Sequence, residues 1–432
     1  MRYPKVPDYG ETLDQLRGLV QLKHEYGAKG LERPLAAAHR ALLAAVKAAE
    51  RTAVDRAAAE REPNDLARIR RLRPKGPRVL WREFDERRYA DKVEGALLGR
   101  LAGCTLGAIV EGWPVENMES WAKEIGDPFP PTDYWSQAKT PSALRYETSR
   151  CDSYTRDGMD GVPVDDDIVY TLLGLMLFEQ HGASFTSADV AHMWHTYLFW
   201  VYKDMKWPLD KFLAGAPISR CADRNPYAQL ICASIRADPY GYVAPGQPEK
   251  AAALAYRDAA LSHRRNGIYG GMFFAAAIAA AFAVTHPREA IEIGLTEIPR
   301  DCRLAREIRW ALRISKRITN YREARLAVDR RFPGMDTAHT INNACLTIFG
   351  LLLGETDVTR VLSETVAMGL DNDCTAATAG SIVGAIAGKR GIPKHWHRRF
   401  HDKVHSYISG FPVFAISDLV RRYTEQAKAM SA

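Results

Sequence analysis

The chain of 432 residues lacks several signatures that would settle its class at once. It has seven cysteines but no CxxC pair, and an odd count resists complete pairing. That argues against a disulfide framework and against a thiolate zinc site, and fits reduced thiols in a cytoplasm. No opening stretch joins a charged start, an apolar middle and a small-residue cleavage site, so secretion is not expected. Long apolar runs are also missing. The longest, "GGMFFAAAIAAAFAV" (270–284), is too short and too alanine-rich to span a bilayer and reads as a buried helix. Strand-like alternation is rare, and there is no internal repeat, no low-complexity tract and no glycine-rich phosphate loop.

A strong charge of one sign is absent from most of the chain. The formal net charge is +7. Residues 1–80 carry 17 Lys and Arg against 10 Asp and Glu, and the remainder carries 42 of each. A nucleic-acid enzyme would place its basic excess around the active site. Here it lies in an extension, densest in "RIRRLRPKGPRV" (68–79), which reads as a solvated basic linker. Nucleic acid and membrane are therefore not expected partners.

What is present is helical. Residues 31–61 are rich in Ala, Leu, Arg and Glu at helical spacing, until Pro63, Pro74 and Pro77 intervene. A second pattern begins near Arg88 with "YADKVEGALLGRLAGCTLGAIVEGWP". The expected organisation is a basic helical extension and linker over 1–87, then an all-α catalytic domain over 88–432. Two long interruptions, 111–165 and 235–250, are candidate functional loops. The first carries Trp113, Trp121, Tyr134 and Trp135, suited either to stacking or to packing.

Two acidic clusters stand where apolar helices begin. "VPVDDDIVYTLLGLMLFEQ" (162–180) places Asp165, Asp166 and Asp167 together. "MGLDNDCTAATAGSIVGAIAGKRG" (368–391) places Asp371 and Asp373 ahead of a helix in which Ala376, Gly380, Gly384 and Gly388 recur every four positions. Taken singly, each is read as a solvated face or an over-supplied cap. Brought together, five carboxylates would repel strongly unless hard divalent cations balanced them. Two Mg²⁺ or Mn²⁺ ions are the expected count. An EF-hand is excluded, because Ala376 stands where its loop needs glycine and no glutamate follows at the twelfth place. The bare face of the second helix invites another backbone to approach closely.

These motifs resemble the ADP-ribosylglycohydrolase family, in the family's own order. "GALLGRLAGCTLGAIVEGWP" resembles its opening glycine-rich helix ending in a glutamate, here Glu111. "VDDDIVYTLL" and "GLDNDCTAATAGSIVGAIAG" resemble its two metal motifs. The resemblance covers the chain from about Arg88 onward. It implies a compact orthogonal helical bundle, a binuclear Mg²⁺ or Mn²⁺ centre and hydrolysis at C1″ of an ADP-ribosyl group. It implies Asp165, Asp166, Asp167, Asp371 and Asp373 as metal ligands. Asp166 or Asp167 is the expected base and Glu111 the expected assistant. Ile168, Cys374 and Cys104 depart from the pattern, each where the family usually has an oxygen-bearing side chain.

Four further residues are candidates for contact with substrate, namely His263 and Asn266 in "ALSHRRNGIYGG" and His339 and Asn343 in "HTINNACL". His263 and His339 are equally suited to capping or core roles. "HWHRRFHDKVH" (395–405) reads as an exposed basic helix rather than a metal site. The expected substrate is an ADP-ribosylated protein or a small ribosylated molecule. The competing expectations are a catalytically silent binding or structural protein and a two-metal phosphoryl-transfer site.

Overall fold

A computed structural model describes residues 3–431. The chain divides into two compact units. Among the described residues, one gathers 3–60 with 332–334, and the other gathers 61–331 with 335–431. In the first, helices α1 (Tyr9–Glu25) and α2 (Glu32–Arg51) bury none of their residues. Asp8 caps α1 by accepting from the Glu11 N–H at 3.0 Å.

The second unit is all-α apart from two short hairpins among the described residues. Its centre is α3 (Glu86–Ala108), in which every residue from Gly95 to Ala108 is buried. The apolar tract expected to be a core helix is α5 (Asn266–Ala281), buried along its whole length. It follows α4 (Asp166–His181) and precedes α6 (Thr340–Gly354) and α7 (Asn372–Ala387). Among the described residues no helix is long and apolar enough to cross a membrane.

The small-residue face of α7 meets a matching face on α3. Gly95 lies against Gly384 and Gly388, Gly99 against Gly380, Gly103 against Ala376 and Gly107 against Asp373. Positions advance on one helix as they recede on the other, so the pair is antiparallel. A Cβ on Gly107 would stand 2.5 Å from the Asp373 Cα, which no real contact tolerates. Each glycine costs its helix about 1 kcal/mol relative to alanine, and the backbone-to-backbone approach is what offsets that loss.

Three expectations change. The basic run at 68–79 is largely exposed but is no free linker: the Arg300 N–H donates to the Leu72 carbonyl at 3.0 Å and, just beyond the run, the Leu80 N–H to that of Gly246 at 2.7 Å. Arg73 and Arg78 both pair with the fully buried Glu297 carboxylate, so this part of the basic excess neutralises an internal acid. The stretch 395–405 is not a helix, because His401 and Asp402 take left-handed φ of 48° and 57° and the chain turns into strand β3 (Lys403–Ile408). His397, His401 and His405 therefore share no helical face. The interruption at 235–250 is packed inside the unit: residues 235–246 are all buried.

Candidate metal centre

Two helix N-termini supply the acidic groups. Asp165 caps α4, its Oδ1 accepting the Asp167 N–H at 3.1 Å. Gly369 and Leu370 turn the chain with φ of 69° and 63° into α7, whose start carries Asp371 and Asp373. The positive ends of both helix dipoles partly balance the carboxylates gathered there. The α3–α7 contact brings the end of α3 beside Asp373, and Glu111 follows just beyond it. All five aspartates converge. Asp165, Asp167 and Asp373 form one group whose ligand atoms lie within 4.8 Å of one another, and Asp371, Asp373 and Cys374 form a second.

The five carboxylates are not equivalent. Asp166, Asp371 and Asp373 line a cavity of about 440 Å³, with Glu111 at its rim. Asp167 lies beneath them, fully buried. Its Oδ1 is 3.3 Å from the Arg100 guanidinium and its Oδ2 is 2.9 Å from the Cys374 thiol. Arg100 is itself fully buried and also meets Asp238 at 2.8 Å and Thr171 at 2.7 Å.

Strands β1 (Leu144–Arg145) and β2 (Ser149–Arg150) form a hairpin that brings Arg145 and Tyr146 to the same floor. The Tyr146 hydroxyl donates to Asp166 Oδ1 at 2.7 Å. The Arg145 Nη2 lies 3.1 Å from Asp165, 3.2 Å from Asp373 and 3.0 Å from Glu111.

Burial is the largest influence on Asp166, Asp167, Asp371 and Asp373. It pushes Asp166, Asp167 and Asp373 well above the usual carboxylate range, and nearby carboxylates push them further. Asp371 is pushed up to about 7, first by burial and then by Glu111. Cys374 and Cys104 are also raised, chiefly by burial, which keeps them as neutral thiols. Asp371 Oδ1 is buried without a hydrogen-bond partner among the described residues. An unpartnered buried carboxylate oxygen amid other carboxylates suits a hard divalent cation, whereas a neutral thiol does not. Asp371 and Asp373 lie within ligand reach of one another and fit such an ion, Asp166 shares their cavity, and Cys374 adds nothing to it.

The four other candidates lie outside the cavity lining. His263 is fully buried, its Nε2 3.1 Å from Asp204 and its Nδ1 2.7 Å from the Ser262 hydroxyl. Asn266 bonds Gln229 and Glu62 and accepts from the Leu304 N–H. His339 caps α6, its Nδ1 accepting the Ile341 N–H at 3.1 Å. Asn343 ties the carbonyls of Thr337 and His339 and accepts the Asp371 N–H at 3.3 Å, so it steadies the acidic loop from below.

In the first interruption Tyr134 and Trp135 are packing anchors, both 1% exposed. The Trp135 Nε1 donates to the Leu106 carbonyl at 3.0 Å. The aromatics that do line the cavity are Tyr146, Trp200 and Tyr202, none of which the sequence singled out. Arg145 was equally invisible, but Arg100 had a signal: the single charge in the otherwise uncharged, glycine-spaced stretch 95–108 needs a buried acid.

Comparison with known proteins follows the same lines. The family model described as ADP-ribosylglycohydrolase matches residues 85–429. A solved structure titled "ADP-ribosylglycohydrolase-related protein complex" superposes with a TM-score of 0.53 at 20% identity, covering 80% of this chain and all of that one. At that identity the likeness is one of fold. No curated protein matches the chain.

Proposed function

Because the chain belongs to the ADP-ribosylglycohydrolase family, we propose that it hydrolyses the C1 bond of an ADP-ribosyl or ribosyl group, using a divalent cation, Mg²⁺ or Mn²⁺, held by its acidic floor. The observation that carries this reading is that Asp371 and Asp373 lie within ligand reach of one another in a cavity that Asp166 also lines. A volume of about 440 Å³ lies within the usual range for small-molecule sites, roughly 300–1,000 Å³.

Cleavage at C1 develops positive charge on the sugar ring, and an anionic floor stabilises it. Asp166, Asp371 and Asp373 would hold the cation. When bound, it supplies charge for the ribose hydroxyls and acidifies a water. Of the two candidate bases, Asp166 is better placed. It lines the cavity, burial raises its proton affinity, and the Tyr146 hydroxyl fixes one of its oxygens. Asp167 has both oxygens engaged by Arg100 and Cys374 and serves to position α4. Glu111, its side chain 43% exposed at the rim, is placed to assist the leaving group. Trp200 and Tyr202 offer faces for a sugar or base to stack on.

One observation favours a second reading, a catalytically silent binding protein: Arg145 already neutralises part of the acidic floor. Paired variants separate the two. Asp166→Asn and Asp373→Asn should each lower turnover by about 100-fold or more, with unchanged circular dichroism. Unchanged turnover in both would remove the site assignment.

A further inference from the structure

We propose that the Arg145 guanidinium is a built-in cation standing in one of the two candidate ion positions, so that the site holds a single divalent ion. The inference rests on the cation-dependent reading above.

The two ligand groups share Asp373 but differ in what they already hold. In the group of Asp165, Asp167 and Asp373, Arg145 Nη2 stands 3.1 and 3.2 Å from Asp165 Oδ2 and Asp373 Oδ2. The other Asp165 oxygen caps α4, and Asp167 is held by Arg100 and Cys374. A divalent ion among these oxygens would have to displace the guanidinium. In the second group Asp371 Oδ1 remains buried without a partner among the described residues. Asp371 and Asp166 both face the cavity from which an ion would enter. The open position is therefore on the Asp371 side.

Arg145 is held in place by more than charge. Its Nη1 donates to the Ala108 carbonyl at 2.6 Å. The rings of Tyr146 and Tyr154 lie 5.4 and 5.7 Å from its guanidinium carbon. The hairpin that carries it turns through Tyr146 and Glu147, both at left-handed φ, 51° and 58°. Non-glycine residues persist there only when the surroundings over-determine them. A guanidinium stays charged at any working pH, is weakly hydrated and spreads its donors in a plane. It can bridge three acids without a coordination sphere of its own.

The test is the number of Mn²⁺ ions bound by the full chain after EDTA stripping, measured by calorimetry and by electron paramagnetic resonance. The wild type should bind one ion and give the spectrum of an isolated Mn²⁺. Arg145→Gln should bind two and give an exchange-coupled spectrum. Arg145→Met, which keeps most of the side-chain volume, is measured in parallel with circular dichroism to confirm folding. Arg150→Gln, on the same hairpin but paired with the partly exposed Asp152, should match the wild type. An equal, non-zero count in the wild type and both Arg145 variants would overturn the inference and leave the cation-dependent reading standing. No Mn²⁺ bound by any of them would overturn both.

Discussion

Gly99→Ala isolates the contact on which the site depends. In an exposed helix this change stabilises by roughly 0.5–1 kcal/mol, because alanine loses less backbone freedom on folding. At Gly99 the added Cβ would overlap the Gly380 carbonyl oxygen and lie 2.8 Å from its carbon. Carbon contacts settle near 3.5–4.0 Å, so α3 and α7 must part by about 1 Å. The obstacle is backbone and cannot rotate away. Over-packing of this kind costs typically 1–3 kcal/mol, and a rigid obstacle belongs at the upper end. After the propensity gain the net loss is about 2 kcal/mol. Urea denaturation followed by circular dichroism reads this directly, with Gly18→Ala as the contrast. Gly18 lies in α1 with nothing within 4 Å of its added Cβ, so that change should be neutral or slightly stabilising. A Gly99→Ala protein as stable as the wild type, or more so, would refute the argument that close backbone packing joins the two helices.

Three further outcomes are expected. Arg100→Met leaves Asp167 and Asp238 buried without their shared guanidinium and should destabilise by about 3–5 kcal/mol in urea melts. Tyr146→Phe removes the 2.7 Å bond to Asp166 at a stability cost of about 1 kcal/mol, and the pH profile of turnover should shift as Asp166 loses that partner. In the EDTA-stripped chain, Asp371 binds its proton more tightly folded than unfolded. Its contribution is therefore full below the unfolded value near 4 and is lost as pH rises toward about 7. The melting temperature of stripped protein should fall across that window, and Mn²⁺ should restore it most at the upper end.

The sequence made the acidic clusters and the bare α7 face legible, because both are local patterns. Adjacent carboxylates at a helix start, and small residues every four positions, state their needs within a few turns. The partner face on α3 was visible as glycine spacing once a partner was sought. Arg145 was not legible, since nothing in "LRYETSR" says which acids a short hairpin will reach. The roles of His263 and Asn266 were not legible for the same reason. A polar residue at a helix start carries the same local signature whether it meets a ligand or, as here, Asp204 and Glu62. The basic run at 68–79 looked solvated because its internal partner, Glu297, is more than 200 residues away.

The most direct test of the central claim is product analysis by mass spectrometry. Purified protein with Mg²⁺ or Mn²⁺, and with EDTA as the control, is given ADP-ribosylated arginine, ADP-ribosylated serine, NAD⁺ and a panel of nucleosides. Cation-dependent release of ADP-ribose or a free ribosyl sugar from at least one of them is the predicted result. Release of phosphate without free sugar, or turnover that EDTA leaves unchanged, would contradict it.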